Sequence, residues 1–169
     1  MNTTVKLHSL GARDYRTYIF SALFVLGNII LPQICHLAPN GGHIFLPIYF
    51  FTLIAAYKYG WQVGLLTAIA SPLVNHFLFG MPPTAVLPSI LIKSTLLAGG
   101  AAYAAHRFRS VSLLLLLAVV LFYQVAGSLI EGALHGSLAA GLVDFRLGLP
   151  GMAIQVIGGY LTLRYILNK

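Results

Sequence analysis

The segment Gln124–His135 has the sequence QVAGSLIEGALH and lies in a region that is otherwise apolar enough to span a membrane. Four of its polar residues are spaced so that a helix places them on one face: Gln124, Ser128, Glu131 and His135. A carboxyl group at membrane depth is costly and usually marks a ligand or ion path. Glu131 is therefore our first candidate for a binding residue, and the alternative is a polar seam that hydrogen-bonds a neighbouring helix.

The composition indicates a membrane protein. The 169 residues are 59% hydrophobic and 8% charged, with a mean hydropathy of +0.88, and a soluble domain needs more charge on its surface. Spans of about 20 residues allow six helices with short connectors. Residues 1–15 carry charge and no apolar core, so we do not expect a cleavable signal peptide. We predict one all-α membrane domain over residues 1–169, with spans at about 18–36, 44–59, 61–79, 85–103, 112–135 and 150–166.

The distribution of basic residues predicts the topology. Eight of the ten lysines and arginines lie before the first span, at the end of the second, after the fourth, or at or beyond the end of the sixth: Lys6, Arg13, Arg16, Lys58, Arg107, Arg109, Arg164 and Lys169. Under the positive-inside rule both termini are then cytoplasmic. The net charge of +7 is explained by this placement, so we expect no nucleic-acid partner.

Polar and metal-ligating side chains gather at the opposite, outer ends of the predicted spans. They include His36, His43, His76, His135, Cys35, Asn40, Asn75 and Glu131. Each histidine alone fits a water-exposed interfacial position. Several from separate elements on one side, with a carboxylate among them, favour a pocket open to the outside. A metal site at His36, His43 and His76 is a weaker alternative, because imidazole and thiolate ligate transition metals but the spacings are not those of a closed zinc site.

Lys93 is a second charge at membrane depth, about midway along the predicted fourth span and one turn from Ser89. It could pair with Glu131, or it could meet a negative group on a ligand. Gln155 in the last span is a polar companion at similar depth. The third span presents small residues suited to close helix packing: Gly60, Gly64, Ala68, Ser71 and Asn75.

Several chemistries lack their sequence elements. The chain contains no G-x-x-x-x-G-K-[ST] loop, no H-E-x-x-H and no G-x-S-x-G, which argues against ATP hydrolysis by this chain, a zinc protease and a serine hydrolase. The i, i+4 spacing of Glu131 and His135 would suit an acid–base pair but is common by chance. We do not expect an enzyme, nor a cofactor bound by this chain.

The chain resembles the substrate-binding S components of energy-coupling factor vitamin transporters. The resemblance rests on the glycine-rich connector Asn40–Pro47, on the turn Tyr59-Gly60-Trp61-x-x-Gly64 into a small-residue helix, and on Leu78–Pro82, where a Leu-Phe-Gly end precedes an outer loop. S components often carry A-x-x-x-A on the first helix. Here the region Ser21–Gly27 has small residues but not that motif.

The resemblance implies capture of a small water-soluble vitamin or related nutrient outside a prokaryotic cell, by a multi-pass protein of the cytoplasmic membrane. It implies a membrane coupling subunit and two ATPases as partners, with ATP used by those partners. By position, the ligand contacts would come from Lys93, Gln124, Glu131, His135 and Gln155, with Asn75, His76, His43 and Asn40 nearby.

Two alternatives remain open at this point. The cell-shape protein MreD is similarly small and six-spanning and is related in architecture to S components, which would make this chain a structural scaffold with no ligand. A divalent-cation or cobalamin binder is the other. The polar outer half favours a binding protein over a scaffold, but it does not name the substrate.

Overall fold

The computed structural model describes residues 3–4, 7–136, 143 and 145–166. The side chain of His135, which we predict to be a site residue, lies outside this described part, as do Lys6 and Lys169 of the topology argument.

The described chain is almost entirely helical. The helices are α1 Tyr15–Cys35, α2 Gly41–Phe45, a 3-10 helix Pro47–Tyr49, α3 Phe50–Tyr59, α4 Trp61–Phe79, α5 Leu87–Phe108, α6 Leu113–His135 and α7 Leu149–Leu161, which continues into a π-helical turn Thr162–Ile166. Two short strands, β1 Thr3–Thr4 and β2 Ser110–Val111, pair antiparallel with Thr3 opposite Val111. The predicted all-α class is therefore correct.

Three helices are long and apolar enough to cross a membrane, namely α1, α4 and α6 over Leu113–Leu134. Their outward faces carry large apolar side chains that no neighbour covers, such as Ile30 at 52%, Phe77 at 80% and Leu114 at 77% exposure. An apolar exterior around a core that holds polar groups is the arrangement expected in lipid. The chain is thus an α-helical membrane protein.

The second predicted span, residues 44–59, is not one continuous helix. Leu46 has a left-handed backbone with φ of 47°, and Pro47 starts a new turn without an N–H group. The break leaves α3 with 10 residues, or about 15 Å at 1.5 Å per residue, against the roughly 30 Å of a bilayer core. The other predicted spans match helices with shifted ends: α5 extends to Phe108, and regular α-helix in α7 stops at Leu161.

Close contacts between small residues bring α3 to the centre of the bundle. Residues Leu53 to Tyr57 of α3 are all buried, and α3 contacts α1, α4, α5 and α7. A Cβ atom at Gly64 of α4 would overlap Ala56, so glycine is needed for this approach. The predicted small-residue face is confirmed in this respect, since Gly64, Ala68, Ser71 and Asn75 are buried.

The N-terminal segment closes one end of the bundle. His8 N–H donates to the Lys58 carbonyl at 2.8 Å and Leu10 N–H to the Tyr59 carbonyl at 3.2 Å. We call this the strapped end. The opposite end, where α1, α4 and α6 finish and α5 and α7 begin, is the open end, and it holds the candidate site.

Candidate functional site

A cavity of about 510 Å³ lies at the open end of the bundle. Five parts of the chain line it: the end of α1 and the turn after it (Pro32, Gln33, His36–Asn40), the segment from α2 to the 3-10 helix (Gly42, His43, Leu46–Tyr49), α4 and the following loop (Asn75, Met81–Pro83), the start of α5 (Val86, Ser89, Ile90, Lys93) and α6 (Glu131). Its walls are mainly apolar with a few polar groups, which is the usual composition of a small-molecule site.

The structure brings five of the predicted site residues into this cavity: Asn40, His43, Asn75, Lys93 and Glu131. Three others lie elsewhere. Gln124 and Gln155 are fully buried in the helix core, and His76 lies on α4 outside the cavity lining. The helix carries His135 at its last residue, but its side chain is outside the described residues.

Lys93 and Glu131 form a buried ion pair at one wall of the cavity. Lys93 Nζ donates to Glu131 Oε2 at 2.6 Å, and the two side chains are 3% and 14% exposed. The sequence allows Lys93 either to pair with Glu131 or to meet a negative group on a ligand, and the structure shows the pairing with Glu131. Burying either charge alone would carry a large cost, and the ion pair offsets that cost for both side chains.

Gly127 makes room for this pair. The aliphatic stem of Lys93 lies against the backbone of α6 at Gly127, where a Cβ atom would overlap Lys93 Cγ. Gly127 falls one helical turn before Glu131, so the lysine crosses α6 at the glycine and reaches the carboxylate on the next turn. Our sequence reasoning missed Gly127, although a glycine at i−4 from a buried carboxylate was a usable signal.

Asn28 and Asn75 form a polar network beneath the cavity. Pro32 has no N–H group, so it cannot donate to the Asn28 carbonyl four residues earlier. Asn75 Nδ2 donates to that carbonyl at 2.9 Å, and also to the Ser71 carbonyl at 2.9 Å. Asn28 Nδ2 in turn donates to the hydroxyls of Thr52 at 3.1 Å and Ser71 at 3.0 Å. Asn75 is thereby fixed in position and orientation.

Two residues that line the cavity each have a buried polar atom with no hydrogen-bond partner among the described residues. These atoms are Oδ1 of Asn75 and Oγ of Ser89. Asn75 is 2% exposed and Ser89 is 3% exposed. Leaving such an atom buried and unpaired costs about 1–3 kcal/mol. Ser89 was not among our predicted site residues, and its position one turn before Lys93 on the same face of α5 was the available signal.

The predicted residues outside the cavity have other environments. Gln155 Oε1 accepts a hydrogen bond from Tyr123 OH at 3.0 Å. Both amide atoms of Gln124 are buried without a partner in the described part of the chain. His76 donates from Nδ1 to the Pro82 carbonyl at 2.7 Å, which ties the end of α4 to the loop that follows.

The histidines of the open end do not assemble a metal site in the described structure. His36 and His43 line the cavity, but His36 donates from Nδ1 to the Pro32 carbonyl at 2.7 Å and its ring lies against Gly42. Within the described residues no group of three or more His, Cys, Asp or Glu side chains is placed to hold a metal ion. The three candidates His36, His43 and His76 therefore do not converge.

No known protein family, curated protein or solved structure matches this chain.

Proposed function

We propose that this chain captures a small water-soluble molecule in the open-end cavity and serves as the substrate-binding subunit of an energy-coupling factor importer. In this proposal the chain crosses the cytoplasmic membrane of a prokaryote six times, with the second crossing made by the broken segment that ends in α3. Both termini are cytoplasmic, and the cavity faces outward. The substrate class is a vitamin or related nutrient.

The observation that carries the proposal is the pairing of free volume with unsatisfied polar atoms. The cavity has a volume of about 510 Å³, and its lining residues include the Lys93–Glu131 pair together with Asn75 and Ser89, whose Oδ1 and Oγ atoms are buried without a partner among the described residues. A ligand that hydrogen-bonds these atoms would offset the cost of burying them unpaired.

Energy for transport would come from other chains. The sequence has no phosphate-binding loop, so we propose that a membrane coupling subunit and two ATPases supply it. In this scheme the capture subunit binds outside, and ATP hydrolysis in its partners shifts it towards a conformation that releases inward.

Gentle purification from the host membranes, followed by mass spectrometry of both small molecules and co-purifying chains, tests this proposal. We expect a stoichiometric small organic molecule with the native chain and with the control variant Ser94→Ala, which removes a buried hydroxyl of α5 that does not line the cavity. Glu131→Gln should release the molecule. A coupling subunit and ATPases should accompany all three proteins.

Other outcomes would point elsewhere. Cell-wall assembly proteins without any small molecule would favour the scaffold. A stoichiometric transition metal in place of an organic molecule would favour the metal-binding alternative.

A further inference from the structure

We infer that the open-end cavity selects an uncharged, flat ring molecule that carries an NH₂ donor group. This inference rests on the capture function proposed above and narrows its substrate class. It follows from the charge balance of the cavity, from the unpaired polar atoms of two lining residues, and from the apolar residues of the lining.

The charge balance excludes ligands with a net charge. Glu131 is countered by Lys93 at 2.6 Å, so the pair is neutral as a unit. A cationic ligand would have to compete with Lys93 for the carboxylate and leave a lysine that is 3% exposed without this partner. An anionic ligand would meet the carboxylate itself. In a low-dielectric site both cases cost more than binding a neutral molecule.

The acceptor atoms of Asn75 and Glu131 favour a ligand that carries a hydrogen-bond donor. Both partners of Asn75 Nδ2 are backbone carbonyls, which can only accept, so the amide orientation is determined and Oδ1 faces the other way as an acceptor. Glu131 is likewise an acceptor, and at 14% exposure it is the more accessible member of its pair. An NH₂ group offers two donors to such a wall.

Ser89 completes the polar wall. Its hydroxyl can both donate and accept, and it has no partner among the residues described. A ligand group that combines an NH₂ donor with a neighbouring acceptor, such as a carboxamide, would use Ser89 as well as Asn75. The serine thus favours a carboxamide or a ring nitrogen beside the NH₂ group.

The remaining walls favour a flat ring. Rigid or branched apolar residues face the cavity from several sides: Pro32, Pro47, Ile48, Pro82 and Ile90. Tyr49 adds an aromatic ring, held against Tyr123 at a centroid distance of 5.2 Å. An apolar lining that includes an aromatic ring buries a ring efficiently.

Four single-ring probes of nearly equal shape test the inference: benzamide, acetophenone, benzamidine and benzoate. Benzamide is neutral and carries an NH₂ group, acetophenone lacks that group, benzamidine is a cation and benzoate an anion. Binding of each would be measured by ligand-observed NMR titration of the full chain in lipid nanodiscs at about pH 8, where ordinary imidazoles are uncharged. We expect benzamide to bind about tenfold or more tightly than each of the other three.

Single-residue variants test which side chain determines the preference among the four probes. Ser89→Ala should weaken benzamide about tenfold, whereas Ser94→Ala should leave it unchanged. Lys93→Met keeps the length of the stem over Gly127 and removes the positive charge, so it should reverse the preference towards benzamidine. Glu131→Gln removes the negative charge and should reverse it towards benzoate.

A native preference for benzamidine or benzoate, equal binding of benzamide and acetophenone, or no binding of any probe would overturn the inference. The capture function is judged separately by the co-purifying molecule. A charged compound recovered from host membranes would keep the capture function and reject the substrate class, whereas recovery of no compound would reject both.

Discussion

The molecule has a cavity at each end, and the two cavities differ in whether their lining residues have buried polar atoms without hydrogen-bond partners. The strapped-end cavity is the larger, at about 640 Å³ against 510 Å³. His8, Trp61, Tyr103, His106 and Arg109 line it. None of its lining residues contributes a buried unpaired polar atom in the described structure, and the buried Tyr57 hydroxyl there donates to the Ser110 carbonyl at 2.6 Å.

The open-end cavity is smaller, yet it combines a buried ion pair with unpaired polar atoms. The contrast teaches that volume alone is a poor indicator of a binding site. Basic and aromatic residues at the strapped end fit a membrane–water interface, where charge and water are close by. Polar groups kept buried at a cost fit a site that a ligand completes.

The largest expected effect is on stability, and it differs between a charged residue of the open end and a titratable residue of the strapped end. Glu131→Ala leaves the buried Lys93 without its counter-ion and should lower the free energy of unfolding in detergent micelles by about 3–5 kcal/mol. His106→Ala at the strapped end removes an exposed side chain and should change it by less than about 0.5 kcal/mol. Denaturant titration followed by circular dichroism measures both.

A double variant tests the reason for that loss. Lys93→Met with Glu131→Leu replaces the pair by apolar groups and should recover most of the stability, because the cost lies in the orphaned charge and not in the lost attraction. If Glu131→Ala were as mild as His106→Ala, the ion pair would not be buried in the membrane-embedded protein, and the distinction between the two ends would fail.

The next effect concerns the network beneath the open end. Asn75→Ala removes the donor to the Asn28 carbonyl, which Pro32 cannot replace, and should cost about 1–3 kcal/mol in unfolding free energy. Pro32→Ala restores a backbone N–H at the position that normally bonds this carbonyl. It should therefore stabilise the Asn75→Ala protein by about 1 kcal/mol more than it stabilises the native one. Equal effects of Pro32→Ala in both backgrounds would show that the carbonyl does not depend on Asn75.

Much of this fold could be predicted from the sequence, because lipid imposes a simple pattern. Apolar segments of about 20 residues predicted α1, α4 and α6. The small-residue face predicted close packing of α4, and the structure adds that Gly64 packs against Ala56. The break at Leu46–Pro47 was harder to predict. A proline near the start of an apolar segment is compatible with a continuous helix, and only the neighbouring elements decide that Leu46 takes a left-handed backbone.

For the candidate site, the sequence predicts the membrane depth of a polar residue better than it predicts whether that residue lines the cavity. Lys93 and Glu131 were identified as charges at membrane depth and lie together at the cavity. Gln124 shares the helical face of Glu131, but it lies two turns deeper, where its side chain is fully buried and does not line the open-end cavity. Helical periodicity gives the face of a residue, whereas the extent of a cavity along that face depends on how α1 and α4 end and how α5 begins.

The smallest expected effect is a change in unfolding free energy that has opposite signs for two hydroxyl deletions, one at each end. Ser89→Ala removes a buried hydroxyl that has no partner in the described structure, so without ligand it should leave the unfolding free energy unchanged or raise it by up to about 1 kcal/mol. Tyr57→Phe at the strapped end removes a hydroxyl that is bonded to the Ser110 carbonyl, and it should lower the same quantity by about 0.5–1.5 kcal/mol. Both substitutions delete one buried hydroxyl and keep the shape of the side chain, so the comparison isolates hydrogen-bond satisfaction from packing. Opposite signs would show that the open end holds its polar groups at a cost to the empty protein. If both variants were destabilised alike, Ser89 would be satisfied within the fold, and Asn75 and Glu131 would remain as the only groups reserved for a ligand.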